Sequence, residues 1–214
     1  MKAICIFALT LLTAGVTLAD HHEDKDGFIE LFNGKDLTGW KINESPDSWS
    51  VVEGELICKG PRSHLFYAGE VNKADFKDFE VKLKVLTKPK ANAGFYFHTK
   101  FQKDGWPKKG FEAQINATHS DPKKTGSLYG VRNVMNDAPH KDGEWFDYHI
   151  TVKGNTITIK VNGKTTVEYT QPEGGPTKKE KGGFDRVLSS GTFAIQCHDP
   201  GSEVRFKSIT VKPL

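Results

Sequence analysis

Cysteine is scarce in this chain: there are three in 214 residues, and one of them, Cys5, lies in an apolar leader. The remaining pair, Cys58 and Cys197, is too little for a disulfide framework in a chain this long. Both sit in strand-like runs, so two buried free thiols are the favoured reading. Charge of one sign is lacking as well. The 30 Lys and Arg against 27 Asp and Glu leave a formal charge of +3, mixed along the sequence. That gives no electrostatic case for nucleic acid or a membrane surface as partner. No useful window carries a helical period, and no repeat at a fixed spacing points to a propeller or solenoid. There is neither a short metal-ligand spacing nor a loop of clustered Asp residues, so no cofactor is expected. The most that can be assembled is a His₂–carboxylate set for a divalent ion from His98, Glu112 and His198, with no spacing to support it.

One long apolar run is present. Met1-Lys2 is followed by an uncharged stretch from Ala3 to Val16 and by Thr17-Leu18-Ala19 ahead of Asp20. A basic start, an apolar middle and small residues before a polar stretch describe a secretory signal peptide cut after Ala19. The run is shorter than the ~20 residues a spanning helix needs, so the mature chain is expected in a periplasmic or extracellular space, free of the membrane. Residues 20–27 are charged and aperiodic and read as a flexible lead, which leaves 28–214 as a single domain.

Within that domain, about ten short stretches alternate or run apolar between Gly- and Asn-containing turns, which describes an all-β, two-sheet antiparallel sandwich. Phe79 to Leu86 alternates most cleanly, and Glu53-Gly54 and Asn162-Gly163 mark tight hairpins. Three stretches stand apart. In Gly94-Phe95-Tyr96-Phe97-His98 the pleat puts Tyr96 and His98 on one face. In Phe111 to Asn116 it groups Glu112, Gln114 and Asn116, and in Thr192 to His198 it groups Gln196 and His198. These are side chains that hold hydroxyls and move protons, where an indifferent wet face would carry Lys, Thr and Ser. The expectation is that the scaffold brings three solvent-facing polar faces into one hollow.

Motifs along the chain sharpen this. Phe32-Asn33-Gly34-Lys35-Asp36-Leu37-Thr38-Gly39-Trp40, Val52-Glu53-Gly54-Glu55-Leu56, Asn92-Ala93-Gly94-Phe95-Tyr96-Phe97, Gly110-Phe111-Glu112-Ala113-Gln114-Ile115, Thr125-Gly126-Ser127-Leu128-Tyr129-Gly130 and Ile195-Gln196-Cys197-His198 occur in order. Together they resemble the 3-keto-disaccharide hydrolase domain family, from Phe28 to Leu214. The resemblance implies a concanavalin A-like jelly roll with a concave sugar-binding face and action on glycosides whose glucose unit is oxidised at C3. Where that pattern has Arg at the end of the Gly94 strand this chain has His98, and after Ile115 it has Asn116-Ala117 in place of a Leu-Asp pair.

A 3-keto group makes the C2 hydrogen acidic, so a base can take it while an acid protonates the departing oxygen on C1. Water added to the product completes a net hydrolysis. Glu112 is assigned as base and His198 as acid, the reverse being chemically reasonable. Tyr96, His98, Gln114 and Gln196 are expected to hold the hydroxyls and the ketone, Tyr129 and Arg132 to close the rim, and Trp106 to stack on a sugar ring or simply to pack its loop. His64, His119, His140 and His149 read as ordinary structural histidines. The expected partner is a small carbohydrate, and the competing function is a non-catalytic carbohydrate-binding module on the same fold.

Overall fold

The computed structural model describes residues 23–173, 175 and 184–214. The leader expected at 1–19 lies outside the described residues. The strands run β1 (Ile29–Glu30), β2 (Trp40–Ile42), β3 (Trp49–Val52), β4 (Glu55–Lys59), β5 (Ser63–Tyr67), β6 (Phe79–Thr87), β7 (Asn92–Thr99), β8 (Phe111–Asn116), β9 (Phe146–Lys153), β10 (Thr156–Val161), β11 (Lys164–Thr170), β12 (Thr192–Cys197) and β13 (Glu203–Pro213). The only described helical pieces are 3₁₀ turns at Pro46–Ser48 and Val71–Ala74. No described helix is long and apolar enough to cross a membrane. The expected all-β sandwich is what forms.

Every strand pair is antiparallel. The larger sheet runs β11-β10-β9-β6-β13-β4-β3 with β1 added beside β13, and the smaller runs β2-β5-β12-β7-β8. Both predicted tight turns form. Glu53 and Gly54 have φ of 52° and 80°, and Asn162 and Gly163 have 49° and 77°. Positive φ at both central positions matches the right-handed twist of the flanking strands, which is why Gly and Asn sit there. The lead is more ordered than expected near its end. The Asp24 carboxylate accepts from the Phe28 amide at 2.9 Å, and Gly27 donates to the Asp24 carbonyl at 3.0 Å, so a capped turn feeds β1.

The core lies between the sheets and is largely aromatic. The Phe193 ring stacks on Phe76 at 4.4 Å and meets Phe79 edge-on at 5.0 Å, while Phe97 stacks on Phe111 at 5.6 Å. Each is fully buried, worth roughly 1.5–3 kcal/mol per side chain relative to exposure. Cys58 on β4 and Cys197 on β12 are buried free thiols, as the sequence suggests.

The exposed edge of β8 is covered by residues 127–129. Gln114 donates its amide to the Ser127 carbonyl at 3.0 Å, and Tyr129 donates its own to the Glu112 carbonyl at 2.9 Å. An uncovered edge of this kind is a template for pairing with another chain.

Candidate active site

Strand register sets the floor of the site. On the outer face of the smaller sheet, His64, Gln196, Gly94 and Gln114 stand opposite one another across β5, β12, β7 and β8. The next row is Phe66, Ala194, Tyr96 and Glu112. Tyr96 donates its hydroxyl to Glu112 Oε2 at 2.7 Å, and Gln196 Nε2 donates to Tyr96 Oη at 2.9 Å and to Glu112 Oε1 at 3.0 Å. Gly94 makes room for this. A Cβ built there would lie 2.9 Å from Glu112 Cγ and 3.0 Å from Cδ, so the carboxyl occupies the space a side chain would take.

These faces are not wet, contrary to the sequence expectation. Glu112 is 5% exposed, Gln114 1% and Gln196 2%. Loops fold over the sheet and seal the strip into a hollow, and alternation along a strand carries no information about loops. Burial pushes the Glu112 carboxyl up to about 7, against the opposing effects of the Tyr96 hydrogen bond, the Arg186 charge and the Gln196 amide. Desolvation disfavours the charged form more than these partners favour it. The side-chain oxygens of Gln114 and Gln196 have no hydrogen-bond partner, and neither does either ring nitrogen of His64, whose burial drives its pKa down to about 3. Buried acceptors without donors are costly, and these are enclosed by the packed strip itself.

The walls come from the covering segments. Trp106, Asp121, Tyr129, Phe184 and Arg186 surround a cavity of about 510 Å³ whose floor is Asn92, Tyr96, Glu112, Gln114 and Gln196, with His198 at its margin. Tyr129 is fixed by its hydroxyl, which donates to Asp121 Oδ2 at 3.0 Å, and by the Lys123 ammonium 3.9 Å from its ring centroid. Arg186 donates to the Gly110 carbonyl at 2.8 Å and lies over the Phe184 ring at 4.7 Å. Trp106 lines the cavity and also packs on the His198 ring at 5.1 Å.

His198 belongs to a cluster. Its Nδ1 lies 2.8 Å from Asp199 Oδ2, which also accepts from the Ser202 hydroxyl at 2.9 Å, and Gly201 N–H donates to Asp199 Oδ1 at 2.8 Å. Ligand-type atoms of His119, His198 and Asp199 all lie within 4.8 Å of one another. His119 Nδ1 accepts the Asp121 amide at 3.1 Å, so the neutral ring carries its proton on Nε2, the atom 3.8 Å from Asp199 Oδ2. The set is one acceptor facing two donors.

Two residues expected in the hollow are elsewhere. His98 has φ of 56°. Between Thr192↔Thr99 and Ala194↔Tyr96 the ladder spans two residues on β12 but three on β7. That extra residue is a bulge, and it re-aims the side chains beyond it. His98 therefore packs edge-on against Phe79 at 5.8 Å, donates from Nε2 to the Lys77 carbonyl at 2.8 Å and accepts the Ser189 amide at 3.3 Å. The His98–Glu112–His198 metal set consequently does not converge. Arg132 is exposed on the turn after Tyr129 and is absent from the cavity lining. The cation that does line it is Arg186, only 6% exposed, which no sequence expectation singled out. Asn92 was legible, since it shares pleat parity with Gly94 and Tyr96. Asp121, Phe184 and Arg186 carry no such signal, because irregular segments deliver them.

With this geometry in hand, comparison with known proteins is informative. Residues 27–212 match the family described as the 3-keto-alpha-glucoside-1,2-lyase-like domain. The 3-keto-disaccharide hydrolase of Bacteroides thetaiotaomicron is 24% identical over 177 residues, which is 68% of this chain but only 59% of that protein. Among solved structures, a candidate glycosyl hydrolase from Parabacteroides distasonis superposes with a TM-score of 0.73 at 24% identity, covering 88% of this chain and 94% of the other. A carbohydrate-binding module from Bacillus subtilis gives 0.56 at 13% identity over 81% and 95%. At such identities the superpositions speak to the fold.

Proposed function

This chain belongs to the 3-keto-alpha-glucoside-1,2-lyase-like domain family, and from that premise we propose that it cleaves the glycosidic bond of 3-keto-disaccharides in the hollow over Glu112. The observation that carries the reading is the buried Glu112 carboxyl, raised to about 7 and hydrogen-bonded to Tyr96 and Gln196 beside an imidazole in the same cavity. A group that changes protonation near working pH, next to a second proton carrier, is what acid–base chemistry needs. Each such group typically contributes ~10²–10⁴-fold.

The chemistry follows from the substrate. The ketone at C3 stabilises an enolate when the C2 proton is removed. Collapse of that enolate expels the C1 oxygen, which takes up a proton as it leaves. Addition of water across the resulting C1=C2 bond returns both protons and yields the free 3-keto sugar. Glu112 and His198 are the proton carriers. Gln114 and Gln196 line the floor on which the substrate hydroxyls rest, Arg186 faces developing negative charge, and Tyr129 and Trp106 bound the second sugar. The leader at residues 1–19 would deliver this activity to the periplasm or beyond.

The competing reading is a carbohydrate-binding module, which the fold also hosts. A binder gains nothing from a carboxyl poised near neutrality. The test is incubation of the protein with a 3-keto-disaccharide and, separately, with its unoxidised parent, while released sugar is followed. Release from the keto sugar alone is expected. Glu112→Gln should reduce it roughly 10²–10⁴-fold while leaving binding by calorimetry within a few-fold. Binding of both sugars without release from either would mark a module.

A further inference from the structure

We infer that Asp199 is a positioning residue that fixes the tautomer of His198 and thereby assigns the two proton carriers: His198 Nε2 is the base that takes the C2 proton and Glu112 is the acid that protonates the leaving oxygen. The inference rests on the proposed cleavage of 3-keto-glycosides and goes further by naming which group does which step. It reverses the assignment drawn from sequence.

The argument begins with donors and acceptors. Hydrogen bonds from His198, Ser202 and Gly201 outweigh burial and hold the Asp199 carboxyl below its ordinary range, so at neutral pH it only accepts. His198 Nδ1, 2.8 Å from Asp199 Oδ2, must then be the donor. A neutral imidazole has one N–H, so Nε2 bears the lone pair. Among the described residues no hydrogen-bond partner meets Nε2, and His198 lines the cavity. The ring is also held in aim, lying against Trp106 at 5.1 Å and His119 at 5.5 Å. Asp199 is itself fixed by Ser202 and Gly201, the arrangement expected of a group whose task is to orient another.

Glu112 has the opposite endowment. It lines the same cavity as His198, so with Nε2 as the base the leaving oxygen is left to Glu112, whose carboxyl burial pushes up to about 7 and so lets it hold a proton to give. The steps balance. His198 Nε2 takes the C2 proton, and the C–H electrons form the enolate. The enolate re-forms the ketone as the C1–O bond breaks, and Glu112 gives its proton to that oxygen. Water then adds, its hydroxyl to C1 after Glu112 takes its proton, while His198 returns a proton to C2.

Asp199→Asn tests this, because the amide can donate to Nδ1 and so move the imidazole proton to Nε2. Turnover on a 3-keto-disaccharide should fall roughly 10²–10⁴-fold with KM within about threefold, and Asp199→Glu should recover part of the loss. Nitrogen-15 NMR of the wild-type protein should show His198 protonated at Nδ1 in its neutral form. That measurement needs neither activity nor a folded variant. It therefore separates failure of this inference from failure of the proposed function, which an inactive wild type would reveal. Wild-type turnover in Asp199→Asn, or a proton on Nε2 in the native enzyme, overturns the assignment. So does loss of activity on chelation with recovery on added divalent ion, which would make His119, His198 and Asp199 a metal site.

Discussion

The two sheets are built from similar residues and treat their outer faces in opposite ways. In the larger sheet the strands alternate between buried and accessible positions, as in β6, where Val81, Leu83 and Val85 are buried and Lys82 and Lys84 reach solvent. In the smaller sheet every residue of β5, β7, β8 and β12 is buried, including Glu112, Gln114 and Gln196. One outer face is open to solvent and tolerant of charge, while the other is covered, polar and incompletely satisfied. The lesson is that polarity and exposure are separate variables here. Chemistry is concentrated where polar groups have been removed from water, since that is where a carboxyl is pushed towards neutrality and a hydrogen bond gains strength.

Changes aimed at each face should break or sharpen that contrast. The largest effect is expected at Gly94. Gly94→Ala would place a methyl where the Glu112 carboxyl lies, and displacing the acid should lower turnover roughly 10³-fold, about 4 kcal/mol of barrier. The kinetics of the purified variant, with its circular dichroism as control, check this. An active Gly94→Ala would mean the carboxyl has room to spare.

Next comes pH. The folded pKa of Glu112, about 7, lies above the ordinary glutamate value of 4.5. Its stabilising contribution is therefore fully present below 4.5 and is lost as pH rises through 7. The loss is on the order of 3 kcal/mol. Denaturant titrations at pH 5 and pH 8 should show the wild type weakening towards pH 8 and Glu112→Gln changing less. Turnover limited by the acid should fall over the same rise. A Gln variant with the wild-type slope would show that Glu112 is already ionised in the fold.

The smallest effect belongs to the larger sheet. Lys84 pairs with Asp147 at 2.9 Å, the latter side chain 69% exposed. Lys84→Gln should change stability by less than about 1 kcal/mol and activity not at all. A measurable loss of turnover there would mean that the exposed face is coupled to the covered one.

The sequence made the strands, the hairpins at Gly54 and Gly163 and the shared facing of Tyr96, Glu112, Gln114 and Gln196 legible, because pleat parity is a local property. It misplaced His98 because a single inserted residue in β7 resets parity, and nothing in Phe97-His98-Thr99 marks the insertion. It missed Arg186 and chose Arg132 because both lie in irregular chain, where side-chain direction is set by tertiary packing. The covering of the hollow was equally invisible, since it depends on how three loops close over one sheet.

The strip at residues 127–129 has a consequence of its own. The backbone that shields the rim of β8 from neighbouring molecules also carries the Tyr129 ring into the cavity wall. Damage to that strip, by a protease or by an insertion, would unmake the site and bare an adhesive border in the same event. One short segment thus serves both the edge of the sheet and the wall of the hollow.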